Sequence, residues 1–297
     1  MRRALAVAAV VLAAVVAVGF WYFGSGRTRL TATPPAVLRQ LAGALRLPHT
    51  PRSVVVVVEE NKSFETMRDT ASAPYIHELA ARGALFTRSY GVAHPSQPNY
   101  FALFAGVVDT NGDGCPAAGV SPTAPNLGAE LLAAHRSFRA YAEDLPSPGY
   151  TGCTYGEYAR KHAPWTNFSN IPPSAAVPFS ALRSYAALPD VAFVIPNLLD
   201  DMHSGSIARG DAWLRKNVGP LVAWADRNDG LVIVTWDESD KPFSNHIMTI
   251  FVGPMVAPGR YDQPIDHYSV LRTIEDLFWL PHAGRSAAAA PIAGIWR

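Results

Sequence analysis

Residues Ser53–Val58 read SVVVVV, and Glu59, Glu60 and Asn61 follow without a break. An unbroken β-branched run of this length is the pattern of a strand buried on both faces, since a half-exposed strand would alternate with polar residues. Three later runs have the same character: Val191–Ile195, Leu231–Thr235 and Ile247–Val252. Helical patterns lie between them, including Tyr75–Arg82, Asn126–Ala134 and Val270–Phe278, and Pro220 is suited to open a further helix. Strands alternating with helices predict an α/β domain, a central and mostly parallel sheet flanked by helices. That domain is read as residues 52–297.

In such sheets, binding sites form in the crevice beyond the carboxyl ends of the strands. The residues there are Glu59, Glu60 and Asn61, then Pro196 and Asn197 leading to Asp201 and His203, then Trp236, Asp237 and Glu238. Glu60 with Asn61 and Asp237 with Glu238 offer hard oxygen ligands from two strand ends, a donor set that suits magnesium, calcium, manganese or iron. Each alone also reads as an exposed loop carboxylate. Adjacent carboxylates repel, so a shared cation gives a physical reason to hold them close. A loop with two prolines, His94 to Tyr100 (HPSQPNY), leads into an apolar helix and puts Ser96 near a helix N-terminus, where backbone N–H groups favour anions. A serine there is either a helix cap or a nucleophile activated by a base or a metal.

The N-terminus carries a different signal. After Arg2 and Arg3, nothing from Ala4 to Gly26 is charged. That stretch is long enough to span a bilayer as a helix, about 20 residues, and ends in Phe20, Trp21, Tyr22 and Phe23, rings that favour the interface. Residues 1–26 are therefore expected to be a transmembrane anchor with the remainder outside the cytoplasm, or a signal segment if cleaved and the domain secreted; 27–51 reads as a juxtamembrane linker. Cys115 and Cys153 lie in Gly/Pro-containing loops, where an even pair in an oxidising compartment reads as a disulfide, against the plainer reading of two separate thiols. A formal net charge of +1 without a basic run makes no electrostatic case for nucleic acid as partner.

The segments VVVVVEENKSFE, HPSQPNYFALFAG, IPNLLDDMHSGS with GDAWL, VTWDESD, NHIMTIFVGP and DHYSVLRTIEDLFWLP occur in that order. Together they resemble the bacterial phosphoesterase family that holds secreted acid phosphatases and phospholipases C, within the alkaline-phosphatase-like superfamily. The resemblance implies that Glu60, Asn61, Asp237 and Glu238 bind a metal and that Ser96 is its metal-bound nucleophile. It implies phosphate contacts from Asn61, His94, Asn99, His162 in RKHAP and His246, and from His203 in the DxH element, where His203 is also the general acid. His267 falls in a family-like motif without an assigned role. Two departures matter. Leu199 stands four before His203 where two-metal members place an aspartate, so one divalent cation is expected. Tyr100 stands where the sulfatase pattern needs arginine, which disfavours a sulfatase. The implied reaction is hydrolysis of a phosphomonoester, a small molecule or phospholipid, through phosphoserine; a phospholipase C and a non-catalytic, metal-stabilised surface protein are the alternatives.

Overall fold

A computed structural model of the chain describes residues 49–241 and 243–297. The expected membrane segment at 1–26 and most of the linker lie outside the described residues. Among the described residues no helix is long and apolar enough to cross a membrane.

The central strand is β1 (Ser53–Glu59), buried at all seven positions. It pairs in parallel with β7 (Val191–Ile195) on one side and β8 (Gly230–Trp236) on the other. Outward from β7 lie β3 (Phe138–Ala142) and β6 (Ala176–Pro178); outward from β8 lie β9 (His246–Val252), β2 (Ala84–Tyr90) and β10 (Gly259–Tyr261), with β11 (Ile265–Asp266) also on β2. All run parallel except β9, which is antiparallel to both β8 and β2. The reason is the short connection after β8, residues 237–245, since a parallel return needs a crossover of about a dozen residues or more.

Alternation along β1 splits the core in two. Val54, Val56 and Val58 pack with Phe101 and Phe104 of α3 (Ser96–Ala105), Leu127 and Leu131 of α4 (Leu127–Ala133), and Leu271 and Ile274 of α7 (His267–Phe278). Val55 and Val57 face Met67 of α1 (Phe64–Asp69), Ile76 and Leu79 of α2 (Pro74–Arg82), Leu214 of α5 (Ile207–Asn217), and Leu221 and Val222 of α6 (Gly219–Arg227). Burying each such side chain contributes about 1.5–3 kcal/mol, so both layers hold β1 in register. Pro220 opens α6 as its position suggested.

Helix α3 is buried at all ten residues. It ends at Gly106, whose φ of +68° and whose missing Cβ, which would lie 2.0 Å from the Ala283 carbonyl oxygen, both require glycine. The stretch from 107 to 190 is mostly loop, with short 3₁₀ turns and a hairpin of β4 (Thr154–Tyr155) and β5 (Tyr158–Ala159). Cys115 and Cys153 form a disulfide there, with their Cα atoms 5.8 Å apart.

Candidate active site

The site lies beyond the carboxyl ends of β1, β7 and β8. Glu59 and Glu60 are consecutive, so they leave the sheet on opposite faces. Glu60 enters the site, whereas Glu59 is buried on the far face with both oxygens unpartnered, and burial, then repulsion from Asp201, holds its carboxyl well above the usual range. Next, Asn61 adopts φ +25°, a conformation that asparagine tolerates better than most residues. The turn directs its backbone N–H to Asp237 Oδ1 (3.1 Å) and its Nδ2 to Glu238 Oε1 (3.4 Å). The Lys62 ammonium braces this corner by donating to the carbonyls of Asn61 and Met202.

The Ser96 hydroxyl, at the start of α3, is buried 3.0 Å from Glu60 Oε2 and 3.1 Å from Glu238 Oε1. A hydroxyl has one proton, so it serves one of the two carboxylates at a time. The helix is capped by Pro95 without a side-chain bond; Ser96 therefore faces the carboxylates and is no helix cap. Asn99, expected at phosphate, instead ties the loop before α3 together. Its Oδ1 accepts from the amides of Val92 (2.8 Å) and Ala93 (3.0 Å), and its Nδ2 donates to the carbonyls of Ala93 (2.9 Å) and Pro95 (3.3 Å).

Glu60, Asp201, Asp237 and Glu238 bring four carboxyl groups into one buried space. Burial, then mutual repulsion, raises Glu60 and Asp201 to about 8 and moves Asp237 well above the usual carboxylate range; burial also raises Glu238. Asp237 Oδ2, Asp201 Oδ2 and Asn61 Oδ1 are buried without a hydrogen-bond partner. Such a set of crowded carboxyl groups and unpartnered oxygens fits a hard divalent cation, which would let the carboxyls ionise together and satisfy the orphan atoms.

His162 joins this cluster from below. Its Nε2 lies 3.1 Å from Glu60 Oε1, its Nδ1 lies 3.5 Å from Asp201 Oδ2, and its ring stacks on Tyr100 at 4.8 Å. Tyr100 in turn donates to Glu60 Oε1 at 2.6 Å. Glu60, His162 and Asp201 each offer a ligand atom within 4.8 Å of the others. Burial, then Lys161, lowers the His162 pKa well below 6.5, which keeps the imidazole neutral and ligand-competent.

The remaining histidines divide. His94, over a third exposed at the mouth, touches Glu238 through Nδ1. His203 donates its backbone N–H to Asp201 Oδ1 (2.7 Å) and sets Nε2 3.4 Å from Lys161 Nζ. His267 braces the end of β8 through the Asp237 carbonyl at 2.5 Å. His246 is not brought into the cluster: its nitrogens meet Glu65 Oε1 (2.8 Å) and the Thr87 carbonyl (3.0 Å), and its ring stacks between Phe64 and Tyr90. Its strand is antiparallel and starts at this end of the sheet, but neighbouring aromatics claim the side chain. The sequence reading placed Asp201 beyond a strand end without a role and assigned none to Tyr100, Lys161 or Asp113. Asp201 lay in view in LLDDMH; Tyr100 and Lys161 carry no signal apart from adjacency to Asn99 and His162, and Asp113 none apart from lying two residues before Cys115.

A profile of the "Phosphoesterase family" matches residues 68–281. The chain belongs to the phosphoesterase family. It is a hydrolase acting on phosphoric ester bonds. The chain is 49% identical over 247 residues to a phosphatidylinositol-3-phosphatase of Mycobacterium tuberculosis, covering 82% of each chain. It is 30% identical to a phosphate-repressible acid phosphatase of Penicillium chrysogenum, covering 90% of this chain and 71% of that one. Among solved structures, a protein of the alkaline phosphatase superfamily from Vibrio parahaemolyticus superposes with a TM-score of 0.58 at 15% identity, over 83% of this phosphoesterase and 72% of that chain. That likeness shows the alkaline-phosphatase-like fold.

Proposed function

We propose that this phosphoesterase hydrolyses phosphomonoesters through a phosphoserine on Ser96, with one hard divalent cation held by Glu60, Asn61, Ser96, Asp237 and Glu238. The observation that carries the reading is the Ser96 hydroxyl suspended between Glu60 and Glu238, carboxylates from two different strand ends. Bound there, a cation supplies positive charge that lowers the hydroxyl pKa and offsets charge on the phosphoryl oxygens. The chain's own residues do the rest. Ser96 Oγ forms the new bond to phosphorus as the ester P–O bond breaks, and its proton passes to Glu60 or Glu238. His203, expected as the general acid, accepts from Lys161 through Nε2 and burial lowers its pKa, so the departing alkoxide takes its proton from water. Asn61 and His94 line the phosphate's place, and water then displaces Ser96 from phosphorus. His162 and Asp201 hold Glu60 in position from behind.

The relatives bear the names of phosphatases, which supports a monoesterase over a phospholipase C. One is named for phosphatidylinositol 3-phosphate, so a phosphoinositide headgroup is the lipid monoester to try first. The apolar run at 4–26 and the disulfide support an enzyme anchored in the membrane with its domain outside the cytoplasm.

Acid quenching during turnover of a phosphorus-labelled monoester, followed by peptide mapping, tests the mechanism. Label on the peptide carrying Ser96 is expected. Label on another residue, or none under burst conditions, overturns it.

A further inference from the structure

We propose that Lys161, oriented by Asp113, is the residue that selects dianionic phosphomonoesters over monoanionic diesters, an inference resting on the Ser96 mechanism above. Lys161 immediately precedes the buried His162, so its backbone is fixed against the cluster. Its ammonium lies 2.8 Å from Asp113 Oδ2 and 3.4 Å from His203 Nε2. The other oxygen of Asp113 accepts the backbone N–H of Gln97 at 2.9 Å, the amide directly after the nucleophile. One carboxylate thus joins the N-terminus of α3 to the ammonium.

Donor counting leaves this lysine a free proton. An ammonium has three protons and no lone pair, so His203 Nε2 must be the acceptor of their contact. Asp113 and His203 use two protons and leave a third. The basic neighbours serve other groups: Lys62 spends two of its three protons on the Asn61 and Met202 carbonyls, and Arg160 four of its five on the Thr151 and Thr166 carbonyls and the Thr166 and Asn167 side chains. What sets Lys161 apart is its tie through Asp113 to the amide that follows Ser96, with a proton left over. The Lys161 side chain is only 19% exposed, which limits screening by water.

The charge of the ester decides what this donor is worth. A monoester dianion carries three non-bridging oxygens, and a diester carries two, with an alkyl group on the third. An ammonium facing that third oxygen gains a charge-assisted bond with the monoester alone.

The disulfide secures both partners of the pair. Cys115 lies two residues after Asp113, and the Cys153 carbonyl accepts the Arg160 backbone N–H at 2.9 Å, one residue before Lys161. The cross-link therefore fixes the separation of carboxylate and ammonium.

The test compares wild type, Lys161→Gln and Lys161→Arg in the full chain, using p-nitrophenyl phosphate and its methyl diester, which share a leaving group. For Lys161→Gln the ratio of monoester to diester kcat/KM should fall about 30-fold, the size of one charge-assisted bond, and Lys161→Arg should recover most of it. Where the diester turns over too slowly, its Ki against the monoester replaces the rate. Equal losses on both substrates, an unchanged ratio, or no recovery with arginine would overturn the inference. If Lys161→Gln does not fold, Asp113→Asn decides: the ratio must fall in the same direction, and an unchanged ratio refutes it. Failure of the underlying mechanism shows separately, as wild-type enzyme that traps no phosphate on Ser96.

Discussion

Replacing Ser96 by alanine separates chemistry from stability more cleanly than any other change here. The hydroxyl contributes hydrogen bonding to buried carboxylates at 3.0 and 3.1 Å and caps nothing. Losing a bond to a charged acceptor costs about 1.5–3 kcal/mol, but alanine is a better helix former and the other nine residues of α3 stay buried. A net loss of about 1–2 kcal/mol, or roughly 2–8 °C in Tm, is therefore expected. Turnover should respond on another scale. With no second group placed to form the covalent intermediate, kcat should fall about 10⁴-fold or more, equivalent to about 5.4 kcal/mol of barrier. The assay pairs steady-state kcat on p-nitrophenyl phosphate with a melting curve of the same sample. A variant that keeps kcat within tenfold of wild type while melting a few degrees lower would show that Ser96 is structural, and the mechanism fails.

Exhaustive chelation should abolish activity yet leave a cooperative melting transition, since two sheet-face cores hold the fold; full activity in protein shown by elemental analysis to be metal-free refutes the cation's role. Double replacement of Cys115 and Cys153 by serine opens a cross-link of sequence separation 38 and should cost about 4 kcal/mol of stability by the loop-entropy relation; an unchanged denaturation midpoint contradicts this. Burial, then Glu275, raises Glu130 to about 8, and burial raises Glu275 to about 7. Both folded values exceed the ordinary 4.5, so the native state holds the extra protons, and this contribution to stability is full below that value and lost as pH rises towards 8. Glu130→Gln should flatten that decline in Tm against pH, and a variant with the wild-type slope refutes the assignment.

The buried strands were legible because a run such as Ser53–Val58 admits few other readings. Leu231–Thr235 and Ile247–Val252 each grew by only one residue at an end or two in the observed β8 and β9. The weaker strands were not legible. β2 alternates between core and solvent at its end (ALFTRSY), and β6, β10 and β11 have only two or three residues each, too short for periodicity to show. At the site, Glu60, Ser96, Asp237 and Glu238 converge as their strand ends and motifs implied. Asn99 shows why role is harder to read than place: it lies three residues after Ser96, but its four hydrogen bonds are all local. Asp113 is the opposite case. Its importance arises from a contact 48 residues away, which no local pattern encodes.

The central position of β1 has a consequence for the timing of folding. Its two neighbours are far downstream: Val54 lies against Val191 on one side and Leu231 on the other. During synthesis, SVVVVV emerges early and waits with both edges bare until β7 follows, and with one edge bare until β8 does. An uncharged β-branched hexapeptide without proline is the kind of segment that pairs with copies of itself. Fragments ending before Leu231 should therefore aggregate rather than fold. The stretch that makes the finished sheet secure is, until β8 arrives, the chain's greatest hazard.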